Sequence, residues 1–438
     1  MKTLFLLLKN SFWAHSFKGT VPVRFLSVIL SLSILLSGCD KDESDPVSTD
    51  KTEIKIGALF SISSGWVTLG INSKAALQIA EQEINSYLNL IESDYTIKMV
   101  IEETSLNPAT ALEKLKSLKS QGVQIVIGPQ TSAEVRAIKE YADSNDIMII
   151  SQSSTAFSLA ITGDNIFRLC PDDIQEGWAL ANLMRNDGIS GYVSISRNDD
   201  GNLGISKSTK DYFESFGGSA IEGPVYDANT SDFTQTINTL RTMVTSAIEQ
   251  YGQPNTAVQL SAFDESADLF ALIKNDPVLT SVKWYGSDGT ALINAIISNN
   301  DAAVFANTVN YMAPIFGLDD AAKDKWEVLI AQIKSQTNIE VDAFTLAAYD
   351  AARLAAQTYV ATGFSGNFAH MKTIFPNLAN SYFGTSGWIS LNEAGDRKYG
   401  NFDFWGICSE SGALKWKRAA SFSPASGGNG SITYFGCQ

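Results

Sequence analysis

The chain has 438 residues, with 47 acidic and 32 basic side chains, and its formal net charge at pH 7 is −15. A surface of this charge repels phosphate backbones, which excludes nucleic acid as a partner. A chain of this length is too long for one small core and long enough for two lobes.

The first 38 residues carry an export signal. Four basic residues and no acidic one accompany an apolar run from Phe25 to Leu36, which is shorter than the ~20 residues that span a bilayer. The run ends in Leu36-Ser37-Gly38-Cys39, the pattern at which bacterial lipoproteins are cut and acylated. We predict a lipoprotein signal peptide over residues 1–38, lipid on Cys39 and a solvated tether over residues 39–52. An ordinary signal peptide is the alternative.

The cysteines and histidines narrow the chemistry. Cys39 is assigned to lipid, and Cys408 and Cys437 flank a Gly/Ser-rich stretch in the exported part, where we predict a disulfide between them. Cys170 has apolar neighbours and is predicted to be a buried thiol. No metal-binding spacing occurs, and His370 is the one histidine left after export. We therefore expect no metal and no cofactor. We also expect no enzymatic activity, because the sequence shows neither a nucleophile–base pair nor a phosphate-binding loop.

The exported part alternates apolar strands with longer helical patterns. The predicted elements, in chain order, are a strand at 54–60, a helix at 72–88, a strand at 95–101, a helix opened by Asn107-Pro108, a strand at 123–127, a helix at 132–144, a strand at 147–150, a helix at 173–185, a strand at 192–196, a helix at 205–216, a strand at 220–224, a helix at 233–250, a strand at 256–260, a helix from 266, a strand at 282–285 and a helix at 343–360. Near-continuous apolar strands separated by helices are typical of parallel sheets covered on both faces. The pattern restarts after Arg168, which predicts two α/β units of similar size.

Six short motifs, in order over roughly residues 53–410, resemble the type I periplasmic binding proteins of the leucine/isoleucine/valine-binding class. They are Ile54-Lys55-Ile56-Gly57; Ile127-Gly128-Pro129-Gln130-Thr131-Ser132; Ile150-Ser151-Gln152-Ser153-Ser154-Thr155; Phe167-Arg168 followed by Asp173; Gly286-Ser287-Asp288-Gly289; and Gly384-Thr385-Ser386-Gly387 with Gly395-Asp396-Arg397. The resemblance implies two Rossmann-like lobes joined by three hinge crossings, near Cys170, Thr290 and Thr385, with a ligand in the cleft between them. Lobe 1 would comprise residues 53–170 with 291–385, and lobe 2 would comprise residues 171–290 with 386–438.

The resemblance also implies a function. The protein would capture an amino acid, of the branched-chain type, outside the cytoplasm and deliver it to the permease and ATPase subunits of an ABC transporter. It would be anchored through Cys39 to a bacterial membrane, on the periplasmic face or at the cell surface. Two alternatives stay open: a ligand-sensing receptor of the same fold, and a binder of an amide or urea-type solute.

The polar residues at strand ends match the two needs of an amino-acid zwitterion, which are donors for its carboxylate and acceptors for its ammonium. Ser132, at the start of a helix, would bind the carboxylate, aided by the helix dipole. The resemblance places Ser154 and Thr155 beside it and aligns Asp173 and Asp288 with carboxylates that face the ammonium. The structural alternatives are helix N-caps for Ser132 and Asp173, a turn residue for Asp288 and a Ser-rich turn for the other two.

Two aromatic residues complete the predicted site. Trp66 and Phe263 follow strands and, by the resemblance, would wall the pocket for the ligand's side chain; packing at the lobe surface is the alternative. Residues 199–204 depart from the family pattern, because many relatives have an aromatic-Gly pair there and this chain reads Asp-Asp-Gly-Asn-Leu-Gly.

Overall fold

The computed structural model describes residues 51–424 and 430–436. The predicted signal peptide, Cys39, most of the tether and Cys437 lie outside these residues. Among the helices of the described part, none combines the length and the apolar character that crossing a bilayer requires. Cys408 is buried and disulfide-bonded, and its pairing with Cys437 stays a prediction.

The described residues form sixteen strands and twelve α-helices. The strands are β1 (Thr52–Phe60), β2 (Tyr95–Glu103), β3 (Ile125–Ile127), β4 (Met148–Ser151), β5 (Ile166–Arg168), β6 (Gly191–Arg197), β7 (Ser219–Ile221), β8 (Val225–Tyr226), β9 (Thr256–Ser261), β10 (Lys283–Tyr285), β11 (Met312–Phe316), β12 (Phe383–Gly384), β13 (Gly387–Trp388), β14 (Phe402–Glu410), β15 (Ala413–Ser423) and β16 (Ser431–Tyr434). The helices are α1 (Val67–Leu90), α2 (Pro108–Ser120), α3 (Ser132–Ser144), α4 (Asp173–Asn186), α5 (Asp200–Ser215), α6 (Thr234–Tyr251), α7 (Ser266–Ile273), α8 (Asn294–Ser298), α9 (Asn300–Thr308), α10 (Lys323–Thr337), α11 (Ala343–Ala361) and α12 (Phe368–Asn380).

The first lobe is built on a parallel five-stranded sheet with the order β2-β1-β3-β4-β5. Strands β3 and β4 are buried along their whole length, as their continuous apolar sequences require between two layers of helices. Helix α11 is apolar on nearly every side and packs against α1 and α12 in the lobe's largest core. Helix α10 joins the same core through Leu329 and Ile333.

The second lobe contains a nine-stranded sheet. Its main path runs β16-β15-β14-β11-β10-β9-β6-β7, and β8 pairs with the far end of β6. Strands β6 to β11 are parallel, whereas β14, β15 and β16 are added antiparallel at one edge. The strand predicted over residues 220–224 is therefore two short strands, β7 and β8, on the same edge of β6.

The chain passes between the two sheets three times, and two of these crossings differ from the expected positions. The first follows β5, through residues 169–172, the second follows β11, at Gly317, and the third precedes β14, near Gly400. The expected second and third crossings were near Thr290 and Thr385. The difference arises because β11 pairs with β10 and β14, so residues 312–316 lie in the second lobe's sheet and not in lobe 1.

The three crossings touch one another and are held by the guanidinium of Arg397. Its Nη1 donates to the carbonyl of Leu169 (3.3 Å) in the first crossing, and its Nε donates to the carbonyl of Tyr399 (3.3 Å) in the third. The guanidinium also stacks on Phe316, where the second crossing begins, 4.5 Å from the ring centroid. Burial lowers the pKa of Arg397 to about 10, so it stays charged at neutral pH. We interpret this arrangement as the hinge of the molecule.

Candidate ligand-binding site

The loops after β3 and β4 bring three of the predicted site residues together. Ser132 Oγ lies 3.0 Å from Ser154 Oγ and accepts the backbone N–H of Ala156 at 3.0 Å. The carbonyl of Thr155 accepts the backbone N–H of Asp173 at 3.0 Å, which ties this loop of the first lobe to the start of α4 in the second. These three residues and Asp173 are buried at the boundary between the lobes, where the carboxyl ends of parallel strands provide ligand sites.

The capping roles that were the structural alternatives for Ser132 and Asp173 belong to their neighbours. Thr131 is the N-cap of α3, where it forms a capping box with Glu134. Asp172 is the N-cap of α4 and accepts the backbone N–H of Gln175. Ser132 and Asp173 are the first helical residues, and their side chains are released from capping. Both side chains are thus available at the lobe boundary, next to helix N-termini.

A buried ion pair fixes the loop that carries Ser154 and Thr155. Arg168 binds both carboxylate oxygens of Asp396, at 2.5 and 2.7 Å, and both side chains are almost fully buried. The Nη1 of Arg168 donates to the carbonyls of Ser154 (3.2 Å) and Ala156 (2.7 Å). A bidentate pair of this kind has a defined geometry, so it orients the loop as well as neutralising the buried arginine.

Asp173 and Asp288 are joined by a third buried carboxyl, that of Glu176. Asp288 follows β10 in a short 3-10 turn, Asp288–Thr290, and its backbone N–H donates to Glu176 Oε1 at 3.0 Å. Glu176 lies three residues after Asp173 on α4, a spacing that places both side chains on one face of the helix. Asp173 is 1% exposed, and neither of its carboxyl oxygens has a hydrogen-bond partner of good geometry.

Burial and mutual repulsion disfavour ionisation of this cluster. Burial raises the pKa of Asp288 to about 7. Burial also raises the pKa of Asp173 well above its usual range; the nearby Thr155 hydroxyl opposes this effect, and the charge of Asp288 adds to it. The pKa of Glu176 is raised by burial and then by the charges of Asp288 and Asp173. A bound cation would reverse these shifts, because it favours the charged forms.

The start of α5 approaches both parts of the site without side chains. A Cβ on Gly201 would lie 3.6 Å from Ser132 Oγ, across the boundary between the lobes. A Cβ on Gly204 would lie 2.1 Å from Asp173 Oδ2, so only glycine leaves room for that carboxyl. Residues 199–204, where the family pattern has an aromatic residue, therefore contribute backbone to this side of the site.

The two predicted aromatic residues stack on each other across the cleft. The rings of Trp66, from the first lobe, and Phe263, from the second, lie 5.1 Å apart and tilted by 35°. The guanidinium of Arg197 lies 5.3 Å from the ring centroid of Phe263. The ring of Phe344 meets the ring of Trp66 edge-on, with the two centroids 5.8 Å apart. The three aromatic residues, Trp66, Phe263 and Phe344, are buried in one apolar cluster at the lobe boundary.

Three further polar contacts connect the lobes directly. The backbone N–H of Val67, in the first turn of α1, donates to Asp264 Oδ2 at 3.1 Å. At another place Arg136 of α3 binds Asp200 of α5 at 2.8 Å. The third contact joins the backbone N–H of Asn294 to Thr68 Oγ1 at 2.8 Å. The lobes are therefore closed against each other in this structure.

Sequence reasoning missed Glu176, Gly201 and Gly204. Glu176 has a usable signal, since an acidic residue three positions after a predicted cleft carboxylate shares its helix face. The glycines carry weaker signals, because a glycine near a helix start has many explanations and its close contact is formed by a distant segment.

Comparison with protein families gives a match over most of the chain. The family model described as the receptor family ligand binding region matches residues 72–409. An uncharacterized protein of Methanocaldococcus jannaschii is 28% identical over 90% of this chain and 99% of its own length. Glutamate receptor 2.7 of Arabidopsis thaliana is 22% identical over 68% of this chain, and the match covers 31% of that receptor.

Solved structures share the fold. A leucine binding protein of Thermotoga maritima superimposes with a TM-score of 0.68 at 18% identity, over 83% of this chain and 97% of that one. The substrate binding protein of a branched-chain amino acid transporter of Streptococcus pneumoniae, in complex with isoleucine, gives 0.68 at 20% identity, over 83% and 98%. A solute binding protein of an R. palustris ABC transporter, in complex with benzoate, gives 0.67 at 16% identity, over 83% and 95%. These likenesses confirm the expected two-lobed α/β fold.

Proposed function

The chain belongs to the receptor ligand-binding-region family, and from this membership we propose that it captures an amino acid between its two lobes and delivers it to an ABC transporter. The amino acid would lie at the lobe boundary, with its carboxylate near Ser132, Ser154 and Thr155. Its ammonium would face Asp173 and Asp288. The lobes would open and close about the hinge at Arg397 to admit and hold the ligand.

The observation that carries this proposal is the buried carboxyl of Asp173, which has the Thr155 hydroxyl nearby and no hydrogen bond of good geometry. A buried carboxyl that lacks well-placed donors is costly, and the cost is removed when a cation supplies them. The carboxyl of Asp288 adds a second acceptor for a positively charged group. In the R. palustris protein the same fold holds benzoate, a molecule without an amine. The fold therefore does not identify the class of ligand, and the side chains of the proposed site have to do so.

Isothermal titration of the purified protein with amino acids tests the proposal. Asp288→Ala is expected to weaken binding by about 2–4 kcal/mol, because a desolvated charge-assisted contact is lost. Asp173→Ala should have a similar effect, and the double variant should lose less than the sum, because both carboxyls meet one ammonium. If benzoate or an uncharged amide binds the unmodified protein as tightly as the best amino acid, the proposed role of the two carboxyls is wrong.

The membrane anchor is part of the same proposal. The motif ending in Cys39 predicts acylation and an extracytoplasmic location, and it lies outside the described residues. Cys39→Ser should abolish labelling of the protein with an alkynyl fatty acid and release it from the membrane fraction, or leave an uncleaved precursor. If labelling survives the substitution, the lipid is attached at another residue and the proposed acylation of Cys39 is wrong.

A sensing role is the second candidate, favoured by the receptor description of the family and by the similarity to a plant glutamate receptor. Uptake of radiolabelled ligand by cells separates the two roles. Deletion of the gene should abolish high-affinity uptake if the protein serves a transporter. Unchanged uptake, with a lost transcriptional response to the ligand, would identify a sensor.

A further inference from the structure

Glu176 gives the proposed ammonium site more carboxyl groups than one ammonium requires. It is as deeply buried as Asp173, and its Oε1 is held by the backbone N–H of Asp288, so the three carboxyls form one group at the lobe boundary. The basic side chains nearby are already occupied. Arg168 is bound by Asp396, and Arg197 is bound by Asp199 and Glu265.

The charge of this group can be balanced in two ways. With a monoamine in the cleft, the one ammonium faces Asp173 and Asp288 but neutralises a single negative charge, so the remaining carboxyls must keep protons or remain as buried, repelling charges. With a second cationic group on the ligand, one more carboxyl ionises and makes a charge-assisted hydrogen bond. The two unpartnered oxygens of Asp173 are acceptors that a second set of N–H donors would satisfy.

The opposite wall of the site fits the other end of an amino acid. The hydroxyls of Ser132 and Ser154, at the N-terminus of α3, are neutral and lie where a carboxylate would be favoured by the helix dipole. The ligand would thus meet neutral donors at one end and an excess of carboxyls at the other. This asymmetry favours an amino acid with an extra positive charge over one with an aliphatic side chain.

We propose that the ligand of this cleft carries two cationic amines, as a basic amino acid such as lysine or ornithine does, and that Glu176 is the residue that selects for the second amine. The inference rests on the proposed function, because it concerns the same cleft, and it narrows the ligand from amino acids in general to dicationic ones. It departs from the branched-chain type that the sequence resemblance implied.

Titration calorimetry with a matched pair of ligands tests the inference. Lysine and norleucine share the same four-carbon side chain, and norleucine lacks the terminal amine. The unmodified protein is expected to bind lysine at least about tenfold more tightly than norleucine, the effect of one hydrogen bond to a charged group. In Glu176→Gln, which keeps the carbonyl oxygen for the Asp288 N–H, the ratio of lysine affinity to norleucine affinity should fall below about threefold.

The control is Glu140→Gln, which removes one negative charge from the exposed side of α3 and should leave the lysine preference intact. If norleucine or leucine binds the unmodified protein as tightly as lysine, the inference is overturned and the proposed function stands. A full lysine preference in folded Glu176→Gln overturns the role of Glu176. If no amino acid binds the unmodified protein, the proposed function fails and the inference falls with it. Should Glu176→Gln not fold, the comparison of lysine with norleucine on the unmodified protein still decides.

Discussion

At the scale of single residues, the site depends on pairs of polar residues at helix starts. Thr131-Ser132 opens α3 and Asp172-Asp173 opens α4, and in each pair the first residue satisfies the free N–H groups of the helix. The second residue is then held at a defined place by the helix, and its own side chain does not serve as the cap. A helix start alone would consume one polar side chain, so the doublet supplies the additional group that a ligand can meet.

Asp288 makes the stability of the ligand-free protein depend on pH. Its pKa of about 7 in the folded state lies above the ordinary value near 3.8. The folded protein therefore holds a proton that the unfolded chain releases, and stability falls as pH rises from about 4 through 7. We expect the melting temperature to fall between pH 5 and pH 8, and to fall less in Asp288→Asn, with a difference of up to about 3 kcal/mol in the free energy of unfolding over this range.

The matched control for this measurement is Glu140→Gln, which changes the net charge equally but alters an exposed side chain. Its melting temperature should fall between pH 5 and pH 8 as much as that of the unmodified protein. A fall in Asp288→Asn equal to that of the unmodified protein would show that Asp288 does not titrate in this range.

Ligand affinity should depend on pH with the opposite sign. An ammonium favours the ionised form of Asp288, so below about pH 7 binding must release a proton, and affinity rises from pH 5 to pH 8. Titration calorimetry in two buffers with different ionisation enthalpies should detect the released proton at pH 6. An affinity that is flat over this range, or that decreases, would contradict an ammonium at this carboxyl.

At the scale of elements, local pattern and distant pairing differ in how far sequence determines them. Helices α3, α4 and α11 begin at the predicted residues 132, 173 and 343, because the pattern that marks a helix is local. The partner of β11 is not local. The apolar run Met312–Phe316 indicates a buried strand, although it contains Pro314. Which of the two sheets this strand joins depends on its contacts with β10 and β14. The crossings were misplaced for this reason.

Helix α5 contributes to the site through the absence of a side chain at Gly204. An added Cβ would lie 2.1 Å from Asp173 Oδ2 and force the carboxyl out of its position. Gly204→Ala should therefore weaken amino-acid binding at least about tenfold, by the loss of one charge-assisted contact. Alanine favours the helix by roughly 1 kcal/mol, so thermal stability should be kept or raised. Calorimetry and a thermal melt on the same sample separate the two effects.

Gly201→Ala is the matched control on the same helix. Its Cβ would lie 3.6 Å from Ser132 Oγ, an ordinary van der Waals contact, and we expect affinity within about threefold of the unmodified protein. Equal losses in the two variants would mean that α5 acts through its general packing and not through the carboxyl of Asp173.

At the scale of the whole molecule, closure is supported by contacts that do not involve the ligand. The Trp66–Phe263 stack, the Arg136–Asp200 ion pair and the Asp264–Val67 hydrogen bond all join one lobe to the other. Each contact is lost when the lobes separate, so together they shift the equilibrium towards the closed form before a ligand adds its own contacts. The ligand then needs to supply only the remaining difference in free energy.

Asp264 offers the sharpest test of this balance, because its carboxylate accepts an N–H in the first turn of α1, the 24-residue helix of the opposite lobe. Burial raises the pKa of Asp264 to about 7 while the Val67 N–H opposes this shift, and the contact exists only when the lobes are closed. Asp264→Ala should remove about 1 kcal/mol from the closed form, which raises the ratio of open to closed molecules about fivefold.

Small-angle X-ray scattering of the ligand-free variant should give a larger radius of gyration than the unmodified protein, and saturating ligand should restore the smaller value. The control is Asp268→Ala, an exposed acidic residue in the first turn of α7, which should scatter like the unmodified protein. Identical radii for ligand-free Asp264→Ala and the unmodified protein would show that this contact does not influence closure.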